Sequence, residues 1–409
     1  MDFSATLKSF VLLLVIAMVQ ACAVSRTVKY DEVEIESAST EIPDYALLDV
    51  GIVLFDPGIP DSIVEQEKKI IFPEVRRAEA RYIPYHLKAT LESTGYWGSV
   101  WVLPEESEAV DLLVWGRVDH SDGYKVSLRM GAWDAKGREW LNKNYETTVP
   151  ASAYAKYRDA GQDPYQNIYN EIANDLLEIR EEMNAEELTE IREIAHLRYA
   201  ADLVPTAFGN YLVQDSKGIY EIQRLPSESD PMTQRIESVR EREYILVDTV
   251  NEYYANLYYD MSVPYEDWRK MSREESVRYQ EMKRTARMRQ LMGAAAILGA
   301  IIYEGNGNNS VITNTALIGG VQAIRSGFEI SADADLHEES IRELGESFDS
   351  EVEPLVVEVE GQTHRLTGSA EEKYREWRRL LREIYATETG GVYEEPMTES
   401  DSANQPLTD

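Results

Sequence analysis

Cysteine is almost missing: Cys22 is the only one in 409 residues. With a single thiol, no intramolecular disulfide and no thiolate metal cage can form. Histidine is nearly as scarce. His86, His120, His196, His337 and His364 are scattered, and no two share the spacing of a zinc-protease helix. Each is expected to pack or to lie at the surface. Basic charge is short too. Lys and Arg number 41 against 74 Asp and Glu, giving a net charge of −33. So acidic a chain repels phosphate backbones, which excludes nucleic acid as a partner. Catalytic signatures are also missing. Gly305-Asn306-Gly307 lacks the lysine and the preceding strand of a phosphate-cradling loop. No serine stands in a nucleophile elbow. Asp333, Asp335, Glu338 and Glu339 lack the glycine and terminal glutamate of a calcium loop, and acids at a helix start suit the helix dipole. A cell-wall enzyme therefore has no motif behind it. The expectation is a protein that is not an enzyme and has no cofactor or metal site.

What is present begins at the amino terminus. Lys8 precedes an apolar run over residues 10–18, which closes on Val19-Gln20-Ala21-Cys22. The run is shorter than the roughly 20 residues a transmembrane helix needs, and it has the form of a secretory signal. Val19-Gln20-Ala21-Cys22 resembles the lipobox of bacterial lipoproteins. That resemblance implies removal of residues 1–21 as a signal peptide, with acylation of Cys22 as the first mature residue and lipid anchor. Ala23, rather than aspartate, next to the anchor is similar to the sorting pattern that sends enteric lipoproteins to the outer membrane. The implied location is the outer membrane, with the protein lipid-anchored and facing the periplasm. An ordinary signal peptide with an incidental cysteine is the competing reading.

The rest of the chain predicts an α+β protein: an amino-terminal mixed-sheet α/β domain, then a mainly helical region with a small β-hairpin. Residues 22–43 are polar and aperiodic and read as a linker. Residues 44–182 read as one α/β domain. Its apolar strand at 47–55 precedes a helix opened by Pro73, kinked by Pro84 and ended by Gly95. A strand at 99–103 and a three-strand meander with turns at Ser121-Asp122-Gly123 and Asp134-Ala135-Lys136-Gly137 follow. A helix with Ile168, Ile172, Leu176 and Ile179 on one stripe closes the domain.

Residues 111–118, Gly123 and 133–139 carry a second resemblance, to the amino-terminal domain of TolB, penicillin-binding-protein activator lipoproteins and curli-channel lipoproteins. It covers about a third of the chain. It implies a fold and a habit of binding envelope proteins, and no catalytic residue. Any antiparallel meander also needs such glycines. The propeller repeats of TolB and the long paired strands of a curli-type barrel are absent from the sequence.

Residues 183–290 read as helical. A possible hairpin surrounds Asp215-Ser216-Lys217-Gly218, and a helix opens at Asp230-Pro231 and stops or kinks at Pro264. Residues 269–289 carry eight Lys and Arg against three Glu, +5 in a chain of −33. They precede an apolar segment over 291–327, read as a hairpin of two short helices. Gly293, Ala295, Gly299, Ala316, Gly319 and Gly320 place small residues where two helix backbones can approach closely. This hairpin reads as a buried helix pair, a membrane-touching element or a self-association surface. Residues 328–388 read as an α+β segment and 389–409 as a disordered acidic tail. Tyrosine, at 25, outnumbers phenylalanine, at 7, which favours half-wet interfaces. The functional expectation is a periplasmic scaffold or activator, held in outer-membrane lipid by Cys22, that binds an unidentified envelope protein. The alternative is an oligomeric component of an outer-membrane secretion or channel assembly.

Overall fold

The computed structural model describes residues 24–27, 33–69, 71–155, 162–227, 230–304, 355–359, 362–366 and 370–389. In chain order its elements are β1 (Val24–Thr27), β2 (Val50–Val53), α1 (Ile63–Lys69), α2 (Pro73–Thr94), β3 (Val100–Leu103), β4 (Leu112–Ser121), β5 (Lys125–Asp134) and β6 (Glu139–Thr148). These are followed by α3 (Gln166–Glu181), α4 (Ala185–Leu203), the single turn α5 (Pro205–Phe208), β7 (Leu212–Gln214), β8 (Tyr220–Ile222) and α6 (Pro231–Glu304). β9 (Leu355–Val359), β10 (Gln362–Leu366) and α7 (Ala370–Thr389) complete the order. The α+β class expected from the sequence is the class observed.

The main sheet runs β1-β6-β5-β4-β2-β3. β2 lies parallel to β3 and β4, and β4, β5 and β6 form the antiparallel meander. Turn chemistry sets that meander. Gly123 takes φ +73° while Asp122 accepts the N–H groups of Tyr124 and Lys125 at 3.0 and 2.7 Å. At the next turn Asp134 accepts the Arg138 N–H at 3.0 Å and the Trp140 indole N–H at 2.8 Å. Helix boundaries follow the same local rules. Pro73 opens α2, and Gly95 ends it in the left-handed conformation. Asn184 and Glu187 form a reciprocal capping box on α4.

The segment expected to be a linker is partly structured, which corrects that reading. β1 adds to the sheet parallel to β6. Val33 is held against α3 by the Asn167 and Asn170 side chains, and Glu36 by Asn174. An asparagine every three or four residues along α3 gives this extended backbone the partners a solvated linker would take from water.

The hydrophobic core crosses the residue-182 boundary. Ile83, Leu87, Ile168 and Ile172 bury against Leu112, Val114, Leu128 and Met130, and the same cluster includes Ile191 and Ile194 of α4 and Tyr265 and Trp268 of α6. A second cluster joins Trp101, Leu103 and Leu113 to Val247, Val250 and Tyr254 of α6 and Trp377 and Leu381 of α7.

A stop at Pro264 is another expectation that is corrected. α6 neither stops nor breaks there and continues to Glu304. Packing on both sides of the proline holds the helix together: Met261, Tyr265 and Trp268 are all buried. Tertiary burial outweighs a local cost of about 3 kcal/mol for an interior proline.

Candidate functional site

α6 is tied to the body at three levels, each through a buried polar residue. At its start Glu243, 1% exposed, accepts hydrogen bonds from the Tyr374 hydroxyl at 3.0 Å and the Ser107 hydroxyl at 3.3 Å. The Arg378 guanidinium lies 3.7 Å from the same carboxylate, and its Nη2 donates to Asp202 at 2.8 Å. This cluster holds α7 onto α6 and α4. Next, Asn251 faces the outer edge of β3. Its carbonyl accepts the Val102 N–H at 2.9 Å, and its amide donates to the Val102 carbonyl at 3.0 Å. One side chain thereby satisfies both outward backbone groups and covers the sheet edge.

The third level is the most deeply buried. Arg269 donates twice to Asp163, Nη1 to Oδ1 and Nη2 to Oδ2, each at 2.9 Å. The guanidinium is enclosed by Tyr265, Tyr165 and Tyr82, whose ring centres lie 4.1, 4.9 and 5.8 Å from its carbon. Burial alone raises the Asp163 carboxyl. The Arg269 charge and its paired hydrogen bonds outweigh that and hold the group below the ordinary carboxylate range. Beside it, Glu79 accepts from Ser121 at 2.5 Å and from the Tyr265 hydroxyl at 2.6 Å. Burial pushes its carboxyl up despite the nearby Arg76. His86 stands between the Tyr258 hydroxyl at 2.7 Å and the Gln166 carbonyl at 2.8 Å. Gln166 Oε1 can only accept, so the ring proton sits on Nε2. Burial keeps the ring neutral by lowering its pKa.

A cavity of about 330 Å³ lies where β2 and β4 begin, between α4 and α6. Asp49, Asp111, Arg192, His196, Glu237 and Arg240 line it. Asp111 accepts the Asp49 N–H at 2.8 Å, and burial pushes its carboxyl up to about 6. Arg240 donates to the Ala109 carbonyl at 3.1 Å and faces His196 Nδ1 at 3.2 Å. Burial and then the Arg240 charge lower the His196 pKa. These groups largely neutralise one another. The cavity also opens at the amino ends of the parallel strands, opposite the carboxyl ends where α/β folds collect ligands. Among the described residues no group of three or more His, Cys, Asp or Glu could hold a metal ion.

Cys22, Ala316, Gly319 and Gly320 lie outside the described residues. The backbone at Gly293, Ala295 and Gly299 belongs to the last turns of α6, so the first arm of the expected hairpin continues the helix that opens at Pro231. No helix among the described residues is long and apolar enough to cross a membrane. The sequence reading missed the Arg269–Asp163 clasp. Asp163 reads as a helix-start residue and Arg269 as one cation of a basic stretch, and 106 positions separate them. Comparison with protein-family models, with curated proteins and with solved structures finds no match to this chain. Its function is therefore read from its own residues.

Proposed function

We propose that the chain is a lipid-anchored scaffold or activator of the bacterial cell envelope. It is not an enzyme, it works on the periplasmic face of the outer membrane, and it binds a protein partner there. The observation that carries this reading is Val19-Gln20-Ala21-Cys22, which sets the only cysteine at the end of a short apolar signal. The way the polar residues are used also supports it. The buried acids and cations Asp163, Glu79, Glu243 and Arg269 are spent on holding α6 and α7 in place. The test is mass spectrometry of the amino-terminal peptide from membrane-purified protein. An acylated residue 22 is expected, together with release of a Cys22→Ala chain from the membrane. An unmodified Cys22, or cleavage beyond it, would sink the reading. An oligomer sealed into the membrane would instead favour the secretion-channel alternative.

A further inference from the structure

The cavity between α4 and α6 contains a carboxylate that the fold fixes in place and does not fully use. Asp49 and Asp111 stand directly before β2 and β4, and they brace each other. The Asp111 N–H donates to the Asp49 carbonyl at 2.9 Å, and the Asp49 N–H donates to Asp111 Oδ2 at 2.8 Å. Asp49 Oδ1 accepts the Ser99 N–H at 2.8 Å. Each carboxylate is thereby held by one oxygen. Asp111 Oδ1 and Asp49 Oδ2 have no hydrogen-bond partner among the described residues, although the Asp111 side chain is only 2% exposed. A buried acceptor left unpaired is costly, and a donor brought from outside relieves that cost.

The neighbouring cations do not supply the donor. Arg192 Nε stays 3.9 Å from Asp111 Oδ2, beyond hydrogen-bond distance, and its Nη1 donates to the Asp44 carbonyl at 2.6 Å. Arg240 directs Nη2 to the Ala109 carbonyl and Nη1 to His196. Burial outweighs both arginine charges and leaves the Asp111 carboxyl raised to about 6. With Glu193 and Glu237, the lining carries four carboxylates against two arginines, so an added cation is favoured. That cation is not a metal ion, because no three of the described His, Cys, Asp and Glu are placed to hold one. An organic cation bearing N–H donors fits instead. A primary ammonium carries three such donors and no acceptor. The volume of about 330 Å³ admits a small molecule, and Tyr45, 44% exposed, adds an aromatic ring to the lining.

We propose that this cavity binds a small primary alkylamine as its ammonium ion, with Asp111 Oδ1 accepting an ammonium N–H and Asp49 sharing the charge. The inference does not depend on the lipid anchor. A lysine of a partner protein ends in the same group, so the test carries both sources. Binding needs the ionised carboxylate, and affinity therefore falls as pH drops through about 6. Arg192, Glu193 and His196 of α4, Glu237 and Arg240 of α6, and Asp49 face the same space. Protonation of His196 would weaken cation binding in the same sense, so its share must be measured separately.

The test is isothermal titration calorimetry of the full chain with 1,4-diaminobutane and, separately, with lysine blocked at both backbone ends. Saturable binding of at least one is expected, about tenfold weaker at pH 5 than at pH 7. Asp111→Asn keeps an acceptor for the Asp49 N–H and should retain the circular dichroism spectrum while binding about tenfold or more weakly. His196→Gln should bind with the pH dependence intact. Tighter binding of the diamine assigns the cavity to a free amine, and tighter binding of the blocked lysine assigns it to a partner's side chain. No saturable binding at millimolar concentration would overturn the proposal. So would undiminished binding by Asp111→Asn, or equal binding of tetramethylammonium, which has no N–H to donate. Loss of the pH dependence in His196→Gln would overturn Asp111 as the acceptor.

Discussion

Arg269 and Asp163 are 1% and 4% exposed at their side chains, so each charge depends on the other. Removing one partner leaves an uncompensated buried charge. Arg269→Ala should cost about 3–5 kcal/mol, read as a lower urea midpoint. Replacing both with apolar residues should cost less than either single change. If Arg269→Ala unfolds at the wild-type midpoint, the clasp is not what holds the helix. Asp111 behaves in the opposite sense. Its folded value near 6 lies above the unfolded value of about 3.9. Its contribution to stability is complete below about pH 4 and is lost as pH rises through 6, for a total of about 2–3 kcal/mol. Asn can still accept the Asp49 N–H. Asp111→Asn should therefore flatten this dependence and raise stability at neutral pH. Identical slopes for wild type and variant between about pH 4 and 7 would refute the assignment.

Among the elements, α6 is central because its support is uneven. Packing and three polar ties hold it as far as Ser276, and its described side chains from Val277 to Met288 are half-buried or exposed. Gly123 sits against this helix with φ +73°, and a Cβ there would run into the Arg269 carbonyl oxygen. Gly123→Ala therefore meets backbone strain and a backbone clash together. It should destabilise by at least 1–3 kcal/mol. Faster amide exchange in residues 265–276, relative to α3, is the expected signature. Uniform change throughout the chain would point to global destabilisation instead.

At the scale of the molecule, a compact acidic body carries one helix of 74 residues. Such a helix is about 111 Å long at 1.5 Å per residue. Small-angle scattering from a chain of residues 22–409 should give a maximum dimension above about 100 Å. A value near that of a sphere of the same mass would mean that the end of α6 folds back. The basic stretch over 269–289 reads as one feature in the sequence but divides in the structure. Arg269 is consumed in the clasp, and Arg273 donates to the Val149 carbonyl at 2.9 Å.

Local chemistry made much of the fold legible. Pro73, Gly95, Asp122-Gly123 and Asp134 act on backbone within a few residues, so their turns and helix ends can be read from sequence. Apolar alternation likewise exposes the meander, because side-chain direction in a strand has a period of two. Only tertiary structure decided that Asp163 meets Arg269, that Asn251 covers the edge of β3 and that α6 survives Pro264. Each depends on groups 106 or 149 positions apart or on burial from both sides, and a one-dimensional pattern does not encode which distant faces meet. The segment before residue 44 shows the same limit. Its polar composition reads as a linker, yet parallel pairing with β6 and a row of asparagines on α3 give it partners.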